Sequence, residues 1–343
     1  MNRILLHTAT EAAPFYVPNL VAALEDSGWN VSVMECDAFP KAAIVAAGLA
    51  FASGKEKCDV HLYAPWNDGP AAEGALIASV DGCMPGSLRP ASKLSMGRKG
   101  LVSIASYQQI LEALEARRTP QDLAGRTVLL TFGPTIEDFD PARYISNRST
   151  GRMGIALARM AARRGARVLA IHGPVHVSIP ELEGIECIPV RSAKNMGDAV
   201  LENIGRADCA ILCAAVADFS PCNYSEEKIK KGSSETMMLR MKRNIDILAT
   251  LGSMAKHPFL VGFAAESNDL LKNANDKLRR KNCDMLCAND ITAPGCGFAS
   301  ETNSLHVFLR DGTCRNIPLA SKEEVASQVL DLMAEQMASH ANK

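Results

Sequence analysis

Residues 125–172 read GRTVLLTFGPTIEDFDPARYISNRSTGRMGIALARMAARRGARVLAIH. The first eleven are an apolar run closed by Gly-Pro, the pattern of a buried strand that stops abruptly. Residues 151–165, GRMGIALARMAARRG, read as an amphipathic helix ended by Gly165. Residues 166–174, ARVLAIHGP, are a strand again. A strand, a helix and a second strand in this order make a crossover unit whose strands lie parallel. The polar, glycine-containing stretch 144–154, YISNRSTGRMG, reads as a loop built to hold something against the start of the helix.

The same alternation runs outward in both directions. Toward the N-terminus, NRILLHT, WNVSVMEC and CDVHLYAP read as strands. They are separated by helices over VPNLVAALEDSG, ending at Gly28, and KAAIVAAGLAFASG. Residues 67–103 are rich in Gly, Pro and Ser and carry little pattern; SIASYQQILEALEAR is a helix and RRTPQDLAG a linker. Toward the C-terminus, GIECIPV, DCAILCAAVAD, TMMLRMKR, HPFLVGFAAES and CDMLCAND read as strands. SAKNMGDAVLENIGRA, NIDILATLGSMAK and NDLLKNANDKLRRKN read as helices. TNSLHVFLRDG and TCRNIPL form a hairpin, and SKEEVASQVLDLMAEQM is a closing helix. The expected class is α/β, with two doubly wound, mainly parallel, Rossmann-like sheets in tandem: residues 1–117, a linker 118–125, and residues 126–340.

Bulk composition excludes several partner classes. The 343 residues are 47% hydrophobic and 22% charged with a net charge of −1, which gives no reason to expect nucleic acid or an anionic membrane as partner. No apolar run approaches the ~20 residues of a membrane helix. The N-terminal MNRILLHTATEAAPF lacks the long apolar region of a signal peptide. The eleven cysteines form no C-x-x-C, and the pairs Cys209/Cys213 and Cys283/Cys287 sit in apolar runs. Reduced, buried thiols in a cytoplasmic protein are the expected state. His172 and His176, in HGPVH, are separated by Gly-Pro and belong to a loop after a strand, not to a helical metal pair. No metal ligands are identifiable.

In open parallel sheets, ligands bind beyond the carboxyl ends of strands. Three such ends are loaded. After TFGPT, the loop holding Asn147, Arg148, Ser149, Thr150, Gly151, Arg152 and Gly154 suits a phosphate. Its glycines admit close backbone approach, Ser149 and Thr150 cap the helix or contact the anion, and the helix start offers free N–H groups. It is neither G-x-G-x-x-G nor a Walker loop, so no nucleotide is named by it. In AAVADFSP, small residues leave a flat opening, and Asp218 suits a sugar hydroxyl or a base amino group; a plain strand-ending Asp has the same appearance. In EEKIKKG, Lys228, Lys230 and Lys231 either form a solvated face or meet a triphosphate. Lys277 and Lys281, four apart in KLRRKN, share one helix face.

Taken together, GPTIEDFDPARYISNRSTGRMG, AAVADFSP, EKIKK, VGFAAES, KLRRKNCDMLCAND and GFASETNSLH resemble, in order and spacing, the bacterial phosphopantothenate–cysteine ligase domain over residues 125–335. The resemblance implies condensation of 4′-phosphopantothenate with L-cysteine in coenzyme A biosynthesis. CTP is the co-substrate, an acyl-cytidylate the intermediate, and Mg²⁺ accompanies the triphosphate. By resemblance, Asn147 acts on the acyl intermediate and Lys228 lies near the triphosphate. Leu212, Cys213, Ala214, Asp218, Ile245, Asp246, Ile247, Leu248, Phe263, Lys277 and Lys281 contact CTP. Asn289 and Asp290 match the A-N-D strand end and contact the substrate or its phosphate. A homodimer through the ligase domain is implied. Two positions depart from the family's pattern: Ile136 stands for an arginine and Ile245 for a proline.

Residues 1–117 resemble the flavin-dependent decarboxylase to which this ligase is fused in many bacteria, in eroded form. The flavin turn reads TATEAA, the stretch with the catalytic histidine is missing between Gly54 and Cys58, and RPASKLSMGRKG holds no cysteine. FMN is therefore not expected, and a separate decarboxylase is. Two other readings compete with the ligase. One is a non-catalytic scaffold or regulatory subunit. The other is a bifunctional enzyme with a divergent flavin site.

Overall fold

The structure is a computed structural model that describes residues 3–7, 13–34, 41–47, 49–52, 60–63, 76–77, 112, 114–116, 118–179, 182, 184–230, 235–266, 270–290 and 292–341. The chain divides into two compact units, Met1–Arg118 and Thr119–Lys343.

In the first unit, β1 (Arg3–His7), β2 (Asn30–Met34), β3 (Phe51–Ala52), β4 (Val60–Tyr63) and β5 (Leu76–Ile77) form a parallel sheet in the order β3-β2-β1-β4-β5. Helix α1 (Ala13–Asp26) begins a turn earlier than the sequence suggests, so that Pro18 lies inside it. Leu20, Val21 and Leu24 are buried. Helix α2 (Lys41–Ala46) is far shorter than the expected 41–54, because Phe51 and Ala52 leave it to pair with Val33 and Met34. The residues on which the eroded flavin site was read, 8–12, 53–59 and 89–100, lie outside those described.

The second unit is built on an eight-stranded sheet in the order β10-β9-β6-β11-β14-β15-β16-β17. Its strands are β6 (Thr127–Phe132), β9 (Arg167–His172), β10 (Ile185–Pro189), β11 (Cys209–Leu212), β14 (Phe259–Glu266), β15 (Met285–Asp290), β16 (Thr302–Leu309) and β17 (Cys314–Ser321). The first six in that spatial order run parallel, and the β16–β17 hairpin is antiparallel to them. β6 and β11 are buried almost throughout, which is why they read as unbroken apolar runs instead of alternating ones. Helices α3 (Arg152–Arg163) and α7 (Lys322–Ala341) cover one face. Helices α4 (Ala193–Asn203), α5 (Ile247–Gly252) and α6 (Leu270–Lys281) cover the other.

Four readings change here. Residues 213–218 leave the sheet after Leu212, and TMMLRMKR contributes only β13 (Met241–Arg243), paired with β12 (Phe219–Pro221). The expected loop 144–154 begins in strand: Tyr144–Ser146 belong to β8 (Arg143–Ser146), which pairs with β7 (Ile136–Asp140) as an antiparallel arm. The expected linker packs onto the unit, with Leu123 buried in the core and Asp122 ion-paired to Arg164. The thiols are not all buried: Cys187 and Cys314 are exposed.

Candidate functional site

Beside β6, the chain order reverses. It proceeds outward through β9 and β10, then returns on the other flank through β11, β14 and β15. The carboxyl ends of β6 and β11 thus bound the crevice of a doubly wound sheet. Past these ends the two strands stay in register through a bridge between Pro134 and Ala215, with Ala215 N–H donating to Gly133 O at 3.0 Å. The buried Thr135 hydroxyl accepts from Ala217 N–H at 3.0 Å.

Asn147 is aimed at this junction. Its Nδ2 donates to Ala215 O at 2.7 Å, and Ser146 Oγ beside it donates to Thr135 O at 2.7 Å. One amide N–H is thereby committed, while the second N–H and the carbonyl stay available on an exposed side chain. Arg148 is exposed.

The start of α3 differs in detail from the sequence reading. Gly151 is the cap residue, at φ +78°, and no side chain caps the helix. Thr150 Oγ1 instead donates to Phe298 O at 2.8 Å, and Ser149 Oγ accepts only a long 3.4 Å bond from Gly151 N–H. Gly154 has an internal reason to be glycine, since a Cβ there would fall within the Phe132 side chain. Close approach to a ligand is therefore not needed to explain it. Arg152 is ion-paired with Glu301, while its buried Nε has no partner.

At the β11 end, Asp218 is exposed. Its main-chain oxygen accepts from Asn244 N–H at 2.8 Å. Asp246 caps α5 by accepting from Ala249 N–H at 3.0 Å and is ion-paired with Lys281. Burial pushes the Lys281 ammonium down from its ordinary value, and the nearby Asp218 carboxylate opposes that shift. Asp218, Asp246 and Lys281 are thus one group, contributed by three separate segments. Lys277 stands one turn earlier on α6, half-exposed.

Most of the remaining positions pack into the two cores. Leu212 and Ile247 are buried in the core face of α4–α6, with Ala214 and Leu248 packed against it; Cys213 and Phe263 pack against the opposite face. Burial pushes the Cys213 thiol up to about 12, so it is a neutral contact surface and not a nucleophile. Ile245 is exposed. At the β15 end, Asn289 Nδ2 donates to Cys296 O at 3.0 Å, leaving its buried Oδ1 without a partner. The Asp290 carboxylate accepts from the Thr292 hydroxyl at 2.6 Å and from Thr292 N–H at 2.8 Å. These bonds hold its pKa below the ordinary value.

Sequence reasoning missed the residues that place the lysine loop. Asp140, at the tip of β7, is buried and accepts from Arg143 Nε at 3.0 Å, Ala142 N–H at 2.8 Å and Ile229 N–H at 3.1 Å. Arg143 also donates to Ile229 O at 2.9 Å. Ile229, between Lys228 and Lys230, is therefore pinned by both of its main-chain polar groups, and the two lysines are left exposed. At the base of the arm, Glu137 is buried and accepts from Ala193 N–H at 2.8 Å, at the start of α4. The signal was present as the acidic pair Glu137 and Asp140 in IEDFD, but acidic residues in a strand read as loop. Ile136, the departure from the family's arginine, is buried in the same strand.

Among the described residues there is no group of three or more His, Cys, Asp or Glu placed to hold a metal, and no helix long and apolar enough to cross a membrane.

Comparison with known proteins agrees with this geometry. The chain is 45% identical over 220 residues to the coenzyme A biosynthesis bifunctional protein CoaBC of Vibrio cholerae, covering 64% of this chain and 54% of that one. It thus spans about half the length of that relative. It is 42% identical over 252 residues, 72% of this chain and 68% of the relative, to a prokaryotic protein named cysteine/cysteine sulfinic acid decarboxylase. The crystal structure of the C-terminal domain of CoaBC superposes with a TM-score of 0.55 at 33% identity, covering 64% of this chain and 99% of that one. Residues 123–337 match the model of the DNA/pantothenate metabolism flavoprotein C-terminal domain, and the chain belongs to that family.

Proposed function

We propose that this chain is a CTP-dependent ligase that joins 4′-phosphopantothenate to L-cysteine. The substrate carboxylate attacks the α-phosphate of CTP, forming an acyl-cytidylate and releasing pyrophosphate. The cysteine amine then attacks the acyl carbon, and CMP leaves. The observation that carries the reading is Asn147, held by Ala215 O at the crevice between β6 and β11 with half of its hydrogen-bonding capacity unspent. An amide fixed there polarises the acyl carbonyl as the amine adds. Lys228, presented by the pinned loop, meets the charge of the triphosphate, and Arg148, Arg152 and the α3 start receive a second anionic group. Asp218, with the neutral walls of Leu212, Cys213, Ala214 and Phe263, takes the cytidine. Asp246, Ile247, Leu248, Lys277, Lys281, Asn289 and Asp290 line the remainder.

Mg²⁺ would accompany the triphosphate, held by the nucleotide's own phosphates beside Lys228, and would supply neutralisation of the leaving pyrophosphate. Large apolar side chains stand exposed on or beside the β7–β8 arm and the β12–β13 pair: Tyr144, Ile145, Phe219, Tyr224, Met238 and Ile245. They suit a homodimer formed through this unit. In this reading the first unit is a degenerate flavoprotein domain without FMN, and a separate decarboxylase acts in the cell. The relative named as a cysteine decarboxylase favours a second reading, in which the first unit still decarboxylates with a divergent flavin site. A flavin absorbance spectrum on the purified chain would establish that alternative.

The ligase is tested by pyrophosphate release with 4′-phosphopantothenate, cysteine and Mg²⁺, comparing CTP with ATP, beside an Asn147→Asp variant. Turnover with CTP that falls by about 10²-fold or more in the variant is expected. A folded chain that turns over neither nucleotide would leave the scaffold reading.

A further inference from the structure

Lys322 is the first residue of α7 and is 7% exposed. A buried ammonium needs partners for its donors. Two of them are main-chain carbonyls of one short segment, Ser300 O and Thr302 O, the second at 3.2 Å. That segment, residues 292–302, folds back on itself: the Ser300 and Thr302 hydroxyls both donate to Gly295 O, at 2.8 and 2.7 Å. Asn289 holds it at Cys296 O. On its other side it meets the start of α3 twice, where Thr150 donates to Phe298 O and Arg152 pairs with Glu301. The segment is a strap tied between the beginnings of α3 and α7, and Lys322 is its anchor at the α7 end. Burial pushes the Lys322 ammonium down from its ordinary value, and the neighbouring Glu301 carboxylate opposes that shift; Lys322 in turn opposes the burial that raises the Cys213 thiol, on the carboxyl side of β11.

We propose that Lys322 is a positioning residue of the nucleotide and phosphate site. It touches no reacting atom. It fixes the strap across the start of α3 and sets a positive charge behind it, so that the free N–H groups of α3 and the Arg152 guanidinium meet an anion in one geometry. This assignment rests on the ligase reading above. A lysine that merely satisfies two carbonyls would affect stability alone.

The test uses the full chain with Lys322→Met, Lys322→Gln and Lys322→Arg. Thermal midpoint is measured together with kcat and the KM of CTP, 4′-phosphopantothenate and cysteine. A neutral substitution is expected to raise KM for CTP or for 4′-phosphopantothenate about tenfold, with kcat and the KM of cysteine changed by less than about threefold; Arg restores most of the loss. If the Met variant does not fold, the Gln variant, which keeps a donor, decides between the same outcomes. A folded neutral variant with wild-type KM values overturns the assignment. Absence of turnover in the wild-type chain overturns the ligase reading instead. Calorimetric binding of Mg·CTP and of 4′-phosphopantothenate to the same variants then decides Lys322 independently: about tenfold weaker binding of either supports the role, and unchanged binding of both overturns it.

Discussion

Asp140 and Asp218 meet opposite fates within one unit. Each precedes or follows an aromatic residue near a strand end, in FDP and ADF. Asp140 is buried, and four N–H donors from three residues close around it. Asp218 is exposed, and its carboxylate makes no hydrogen bond among the described residues; only its main-chain oxygen is used. The arm consumes its polar groups in holding itself and the lysine loop. The strand end presents its polar groups outward. A charged residue near a crevice is a candidate for binding only when the fold has not already spent its donors and acceptors.

Removing the spent carboxylate should therefore have the largest effect on folding. Asp140→Ala strands Arg143 and unties Ile229, and the midpoint should fall by about 5 °C or more in a thermal melt. The sign with pH follows. Arg143 holds the Asp140 carboxyl well below the usual carboxylate range. Its stabilising contribution is therefore present above the unfolded value near pH 4 and is lost as pH falls through the native one. Acid unfolding of the wild type should be steeper than that of Asp140→Asn. Equal steepness would remove Asp140 from the frame.

The presented groups should behave in reverse. Lys228→Met should leave the midpoint within about 1 °C, because an exposed lysine contributes little to stability. If the proposed reading holds, it should raise the KM of CTP about tenfold. A large stability loss in this variant would erase the distinction between the two regions. The smallest effect is expected at Glu186. It bridges Arg167 and Arg206 at the sheet edge, and all three side chains are well exposed. The two arginines lower its pKa, yet solvent screening leaves Glu186→Gln a shift of about 1–2 °C at most.

Much of the sheet was legible because its strands obey simple rules. The unbroken apolar runs of β6, β9 and β11 sit where both faces are covered, and the helix after YISNRSTG runs from Arg152 to Arg163 as its pattern suggests. The arms were not legible. In IEDFD the inward positions include Glu137 and Asp140, whose bonds to Ala193 and Ile229 span 56 and 89 residues, and no local pattern reveals such bonds. Capping failed for a related reason. Ser149 and Thr150 look like helix caps, but a glycine in the left-handed region starts the helix, and Thr150 turns to a carbonyl 148 residues away. The contact of Asn147 with the β11 end was not legible either, since its bond to Ala215 O spans 68 residues.

The pairing of α3 with α7 also bears on synthesis of the chain. Met153, Leu157 and Ala161 share one buried cluster with Val325, Val329 and Met333. On a ribosome, the apolar stripe of α3 emerges well before the helix that covers it, with most of the parallel sheet still to be made. The nascent chain thus carries a sticky stripe while the whole stretch between α3 and α7 is made, the situation in which holding chaperones act and premature release favours aggregation. Final closure of the unit awaits its last helix.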